Sequence, residues 1–330
     1  MLRDGRDLDV LAGAARALAD GRLVAFPTET VYGLGARADN DAAVAAIFAA
    51  KGRPADHPLI VHVASLEHAA HFAAELPGVA QRLMTALWPG PLTLIVPRAR
   101  QVAAAAAGGH TSIGLRCPVH PVARALLAEA AHLGVPGVAA PSANRFGRIS
   151  PTLAAHVLAE FGDALLVLDG GPCEVGIESA IVDCTQRRPA LLRPGSLTRA
   201  QIEEAAGEPL RSRDERSARA PGTLEAHYAP RATLRLMSRE ALVVALQVLG
   251  PAAAGVAVYS QIPAETLGVQ GRSKPRHKLM PGNAAAAGHE LFAALRELDT
   301  LGVSLIWVEQ PPDTPEWEGV RDRLQRAAAA

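Results

Sequence analysis

Lys51 is one of only three lysines in a chain that carries thirty arginines. Against that background a lysine set in Lys51-Gly52-Arg53-Pro54 reads as selected for chemistry. An ammonium is a compact point charge that suits a polyphosphate, whereas a planar guanidinium fork suits a carboxylate or phosphate held by two bonds. The same residues also read as a helix end, with Lys51 in the last turn, Gly52 as the C-cap and Pro54 as the stop. Both uses hold together, because a helix end that presents Lys and Arg beside a loop is also an anion site. Small hydroxyls and fixed cations recur next to apolar runs: Thr28 and Thr30, Ser112 and Arg116, 141–144 with Arg148 and Ser150, Glu178 and Ser179, and Arg193. Taken singly each has an ordinary structural use, as a turn residue, a surface arginine, a helix N-cap at Ser150 or a packed histidine at His62. Together they make a carboxylate and polyphosphate site, and ligands bind at strand ends in open α/β sheets. Neither GxxxxGK[ST] nor a GxGxxG at the head of a helix occurs, so a nucleotide would be held without the common phosphate loops.

The elements that must position these residues alternate between strand and helix patterns. Apolar runs at 23–26, 59–64, 92–96, 113–116, 138–140, 164–168, 180–182 and 190–192 predict strands. Asn40 caps a helix with Val44, Ile47 and Phe48 on one face, Ser150-Pro151 opens another with Pro at its first position, and Thr198 with Gln201 forms a capping box. From 208 to 231 the pattern lapses into RSRDERSARAPGTLEAHYAPR, a charged, Pro-containing linker. Strands at 234–237, 256–259 and 303–308, separated by helices at 239–249 and 284–299, then predict a small parallel α/β unit. The expected division is therefore 1–208, a linker at 209–232 and a second domain at 233–330.

Composition bounds the function. With 49% apolar and 20% charged residues in 330, a large core is affordable. A formal net charge of zero argues against a protein that coats nucleic acid or an anionic membrane. No run of eighteen apolar residues and no apolar h-region at the start is present, so the expected location is the cytoplasm, without membrane association. Cys117, Cys173 and Cys184 lack CxxC spacing, which predicts reduced structural thiols and no metal cluster.

The blocks FPTETVYGLG, KGRPADHPLIVH, WPGPLTLIV, GLRCPVHP, APSANRFGRISPT, GIESAIVD, LLRPGS and APGTLEAHYAP follow in this order over about 20 to 230. In these blocks the chain resembles the YrdC-like family, and its extra C-terminal unit makes it similar to the two-domain threonylcarbamoyl-AMP synthases. The resemblance implies a twisted mixed-sheet α/β domain with a concave ligand cavity, joined by a lid-forming linker to a smaller Rossmann-like α/β domain. It implies an enzyme, a nucleotidyltransferase, that joins L-threonine, bicarbonate and ATP into threonylcarbamoyl-adenylate with release of pyrophosphate, for modification of the adenosine next to the anticodon of tRNA. Carried over by position, Thr30, His62, Arg116, Ala140 and Ser179 would surround threonine. Lys51, Arg53, His57, Ser112, Ser142, Asn144, Ser150, Arg193 and Tyr228 would hold ATP, with Lys51, Arg53 and Arg193 as the catalytic cations. Mg2+ would accompany ATP without a protein metal cage, and the product would pass to a tRNA threonylcarbamoyl transferase complex, direct tRNA contact being weak. The segment 221–230, hinged at Gly222, would close over the site. The family usually has Asn where this chain has His57, and Glu-Ser-Thr where it has Glu178, Ser179 and Ala180. Two alternatives stand beside this reading: a carbamoyl-adenylate-forming transferase, whose additional zinc-finger spacing is absent here, and a module that binds double-stranded RNA.

Overall fold

A strand can bury one set of alternate side chains against helices only if it turns the other set away. The computed structural model, which describes residues 1–223, 226–267 and 275–330, applies this rule twice, in two separate units. The first comprises Met1–Phe146 and Ser150–Thr223; the second comprises Gly147–Ile149 and the residues described after 225.

In chain order the first unit contains β1 (Leu2–Asp4), α1 (Leu8–Ala19), β2 (Val24–Phe26), β3 (Gly33–Arg37), α2 (Asp41–Lys51), β4 (Ile60–His62), α3 (Leu66–Phe72), α4 (Gly78–Leu87) and β5 (Leu92–Pro97). It continues with β6 (Ser112–Arg116), α5 (Pro121–His132), β7 (Val138–Ala139), α6 (Ala154–Phe161), β8 (Leu166–Asp169), β9 (Ala180–Asp183), β10 (Ala190–Arg193), α7 (Arg199–Ala206) and β11 (Arg211–Ser212). These strands form one mixed sheet, ordered β1-β8-β2-β3-β7-β4-β6-β5-β9-β10-β11. One core packs Val61, Leu94, Leu115 and Val182 against Val44, Ile47, Leu83 and Ile202. A second packs Val24, Phe26 and Leu168 against Leu11 and Leu18 of α1 and Leu126 of α5.

Local signals account for most boundaries. Asn40 Oδ1 accepts the Ala43 N–H at the start of α2, and Gly52 ends that helix at φ 64°, a conformation that costs glycine little. Thr198 and Gln201 form the expected capping box on α7. Ser150 departs from expectation. The helix begins at Ala154 without a side-chain cap, and the Ser150 hydroxyl donates to Glu178 Oε1 at 2.5 Å, a buried carboxylate being a stronger partner than a helix end four residues away. β3 also departs from expectation, because its Gly-Leu-Gly-Ala-Arg lacks β-branched residues. It forms because its glycines admit neighbours: a Cβ at Gly35 would lie 2.8 Å from both Phe26 Cε1 and Val138 Cγ1.

The second unit contains β12 (Thr233–Met237), α8 (Arg239–Leu249), β13 (Val256–Ser260), β14 (Arg276–Leu279), α9 (Ala284–Asp299), β15 (Leu305–Glu309) and α10 (Glu318–Ala328). Its sheet is ordered β12-β15-β13-β14, and every pair is parallel, as the alternation of strands and helices required. β14 carries no strand signal because Arg276-His277-Lys278-Leu279 has no apolar run; it is an edge strand, where charge is tolerated and guards against further pairing. The stretch expected as a linker is divided. Arg211 pairs with Ala190 in the first sheet and Ala218 donates its N–H to Asp183, whereas Tyr228 packs against Phe292 of α9. The expected lid at 221–230 includes Leu224 and Glu225, which lie outside the described residues. Among the described residues no helix is long and apolar enough to cross a membrane.

Gly35→Ala is expected to lower the stability of the first unit by about 1–3 kcal/mol through overpacking against Phe26 and Val138. Chemical denaturation of the purified chain measures this, and an unchanged first transition would show that β3 has room to shift.

Candidate active site

Register and alternation together select the residues that share a face. β4 lies parallel to β6 with His62 beside Arg116, and β5 lies parallel to β9 with Thr93 beside Ile181. Ile60, His62, Thr93, Ile95, Gly114, Arg116 and Ile181 therefore turn away from the helix layer that buries Val61, Leu94, Leu115 and Val182. Ile60, Ile95, Ile181 and Leu192 make an apolar floor on this face, partly covered by Ala218 and Ala220. Polar groups set beside such a floor act where water is scarce, so their charges count for more than on an open surface.

At one end stands Arg116, 3% exposed. Its Nη1 donates to Thr30 Oγ1 at 2.8 Å and its Nη2 to Glu29 Oε1 at 2.6 Å. Thr28 donates its hydroxyl to Val31 O at 2.7 Å, so the Thr30 hydroxyl, 2.9 Å away, donates to Thr28 and leaves its own oxygen to accept from Arg116. Among the described residues Arg116 Nε has no hydrogen-bond partner although it is buried, and the same holds for His62 Nδ1 on the neighbouring strand. Burial first, and the charge of Arg116 second, push the His62 pKa from 6.5 down to about 3, so the imidazole is neutral near pH 7. Ala140 joins this end by donating its N–H to Ile60 O. Ser179 joins through Thr93, whose hydroxyl lies 2.8 Å from that of Ser179.

Arg193 is fixed against the same serine. Its Nε and Nη2 donate to Ser179 O at 3.1 and 2.9 Å, and its Nη1 to Pro221 O at 3.1 Å. Lys51 takes an unexpected posture for an anion grip: its Nζ donates to the carbonyls of Ser142 and Asn144, so it shapes the 142–144 loop as well as charging it. Burial, then the nearby Arg53, push its pKa well below the usual lysine range. Arg53 donates to Pro58 O at 2.9 Å and lies over the Phe146 ring, and the His57 ring meets the same phenyl edge-on at 5.5 Å. The His57 pKa is lowered by partial burial and by Arg53. Ser112 sits on the same face of β6 as Arg116, four residues back, with Gly114 between them.

Of the fourteen residues named from sequence, thirteen belong to the first unit. Tyr228 lies in the second, 1% exposed, with the Arg323 guanidinium over its ring at 5.6 Å. No group of three or more His, Cys, Asp or Glu side chains that could hold a metal occurs among the described residues.

The chain is similar to known proteins over nearly its whole length. A family model described as "Telomere recombination" matches residues 16–195, and one described as "Threonylcarbamoyl-AMP synthase, C-terminal domain" matches 197–329. The chain is 37% identical to the threonylcarbamoyl-AMP synthase of Pyrococcus abyssi over 96% of its own length and 93% of the relative's. It is 38% identical to that of Bacillus subtilis, over 96% and 92%. The crystal structure of P. abyssi Sua5 complexed with L-threonine matches with a TM-score of 0.86 at 35% identity, covering 98% of this chain and 95% of that one. The chain belongs to the threonylcarbamoyl-AMP synthase family.

For this member of the family the two sequence parts do not coincide with the two packed units. The C-terminal family region begins at 197, yet α7 and β11 pack in the first unit. Sequence reading also passed over Glu29, Thr93 and Phe146, which the structure sets against Arg116, Ser179 and Arg53 respectively. Glu29 carried a signal that could have been used: an acid between two threonines, in a turn, beside a strand with an arginine at its end.

His62 gives a pH test. Its folded pKa lies below the unfolded one, so between pH 6.5 and 3 the unfolded chain binds a proton that the folded chain does not. The stability it contributes is complete above 6.5 and falls by about 1.4 kcal/mol per unit as the pH drops below that value. His62→Gln is expected to flatten the difference in unfolding free energy between about pH 6 and pH 4 by about that slope, read from guanidinium titrations; parallel curves for the two proteins would refute it.

Proposed function

We infer that the chain condenses L-threonine, bicarbonate and ATP into threonylcarbamoyl-AMP and pyrophosphate, the intermediate for threonylcarbamoyladenosine in tRNA. The observation that carries this reading is the pair of buried nitrogens on adjacent in-register strands, Arg116 Nε and His62 Nδ1, that lack hydrogen-bond partners among the described residues. Leaving such groups unsatisfied costs about 1–3 kcal/mol each, and an α-amino acid, with a carboxylate beside an amine, supplies what they lack. The P. abyssi relative forms a complex with this same amino acid.

Threonine's carboxylate would lie on Arg116 and its amine near His62. The amine attacks carbon dioxide or bicarbonate to give a carbamate, with loss of water in the second case. A carbamate oxygen then attacks the α-phosphorus of ATP, and the bond to the bridging oxygen breaks to release pyrophosphate. Positioning and charge neutralisation carry such a transfer, without a covalent enzyme intermediate. Lys51, Arg53 and Arg193 are the cations for the phosphates, and His57, Ser112, Ser142, Asn144 and Ser150 the polar contacts. Magnesium would enter on the phosphate oxygens of ATP, and Lys51, Arg53 and Arg193 would share with it the neutralisation of their charge. The product suits a transferase that delivers the carbamoyl group to tRNA.

Pyrophosphate release measured with threonine and bicarbonate omitted in turn is expected to need both; stimulation by carbamoyl phosphate in their place would replace this reading. Arg116→Ala is expected to raise the threonine KM by about tenfold or more with little change in the ATP KM, and a rise in the ATP KM alone would reverse the assignment.

Lys51 offers an independent check. Burial lowers its pKa and a polyphosphate beside it would raise it again, so ATP binding is expected to take up a proton at pH values between the two. Calorimetry in buffers of different ionisation enthalpy is expected to detect that uptake and to lose it in Lys51→Met; equal heats for the two proteins in every buffer would rule it out.

A further inference from the structure

Arg116 is not alone in its pocket. Glu29 is 2% exposed and gives one carboxylate oxygen to Arg116 Nη2 at 2.6 Å and the other to the Val119 N–H at 3.2 Å. Its main chain is tied as well, because its carbonyl accepts the Val175 N–H at 2.7 Å. The acid therefore links the β2–β3 turn to the chain after β6, and it holds one arm of the guanidinium while Thr30 holds the other. What remains for a ligand is the buried Nε, which has no hydrogen-bond partner among the described residues.

We propose that Glu29 is a positioning and specificity-determining residue of the amino-acid site, which aims Arg116 and, by cancelling its charge, restricts the site to ligands that carry an ammonium beside their carboxylate. This deepens the proposed function and rests on the reading of Arg116 as the threonine contact. The reasoning is electrostatic. Before a ligand enters, the Glu29–Arg116 pair is neutral and both side chains are almost wholly buried. His62, the in-register neighbour of Arg116 on β4, is neutral too. A bare carboxylate would bring a net negative charge into low dielectric beside Glu29, whereas a zwitterion brings none. An arginine without its acid would accept either kind.

The test compares L-threonine with 3-hydroxybutanoate, the same molecule without its amino group, in calorimetric titrations of the full chain. Wild type is expected to bind threonine and to bind 3-hydroxybutanoate about 30-fold more weakly or worse. In Glu29→Gln, which keeps the shape and removes the charge, threonine is expected to weaken about tenfold. The hydroxy acid is expected to bind as well as or better than in wild type, so that the discrimination collapses while ATP affinity is unchanged. A merely structural role would weaken both ligands alike, and that outcome, or an unchanged ratio in a folded variant, overturns the proposal. Glu29→Asp keeps the charge and shortens the reach: it is expected to lose threonine affinity yet retain the discrimination, and loss of discrimination there would also overturn it. Failure of wild type to bind threonine at all would strike the proposed function instead, so the two failures are told apart.

Discussion

Everything at this site depends on a constraint of pleated sheets: in-register neighbours face the same way, and the next residue along faces the other. Leu94, Leu115, Val61 and Val182 must meet the helices, since the helix layer supplies the apolar surface that takes them. Once they do, Thr93, Arg116, His62 and Ile181 have no choice of side. A slip of one residue in β6 would drive Arg116 into the helix layer and turn Leu115 out of it. The register that lets the core pack is thus also what aims Arg116.

The same constraint explains what could be read in the sequence. The strands of the sheet's middle were legible because Leu92 to Val96 and Ile113 to Leu115 are apolar and bounded by proline or charge. Helix α2 was legible because Asn40 and Gly52 mark its ends. β3 and β14 were not, for opposite reasons: one is glycine-rich because its neighbours crowd it, the other is charged because it lies at an edge. Ser150 reads as a cap in sequence because its true partner, Glu178, is twenty-eight residues away, and a hydrogen bond across that distance leaves no periodic trace. The candidate site residues were named mainly through motif resemblance, while Glu29 stood inside one of those motifs and was passed over. Its importance comes from burial and from contact with a residue eighty-seven positions on, neither of which spacing reveals.

The two buried cations differ in how they are held, and the difference divides their work. Arg116 shares an ion pair with a carboxylate fixed at both oxygens, so its charge is balanced within the protein and its orientation does not depend on a ligand. Lys51 is held by carbonyl oxygens, which orient an amine without cancelling an ammonium. Burial then favours the neutral form of Lys51, and a polyanion alongside it favours the charged form. One cation is suited to a ligand that is itself balanced, the other to one that arrives with excess negative charge.

Lys51 ends helix α2 and Arg116 ends strand β6, so the two cations are held on different elements. Gly114 lies between Ser112 and Arg116 on the shared face of β6, so these two residues are separated by about 13 Å of strand with no side chain of that strand between them on that face. A larger residue there would divide the face into two pockets. A glycine leaves it continuous, with the Thr93 methyl and Ile60 at ordinary contact distance from where a Cβ would stand.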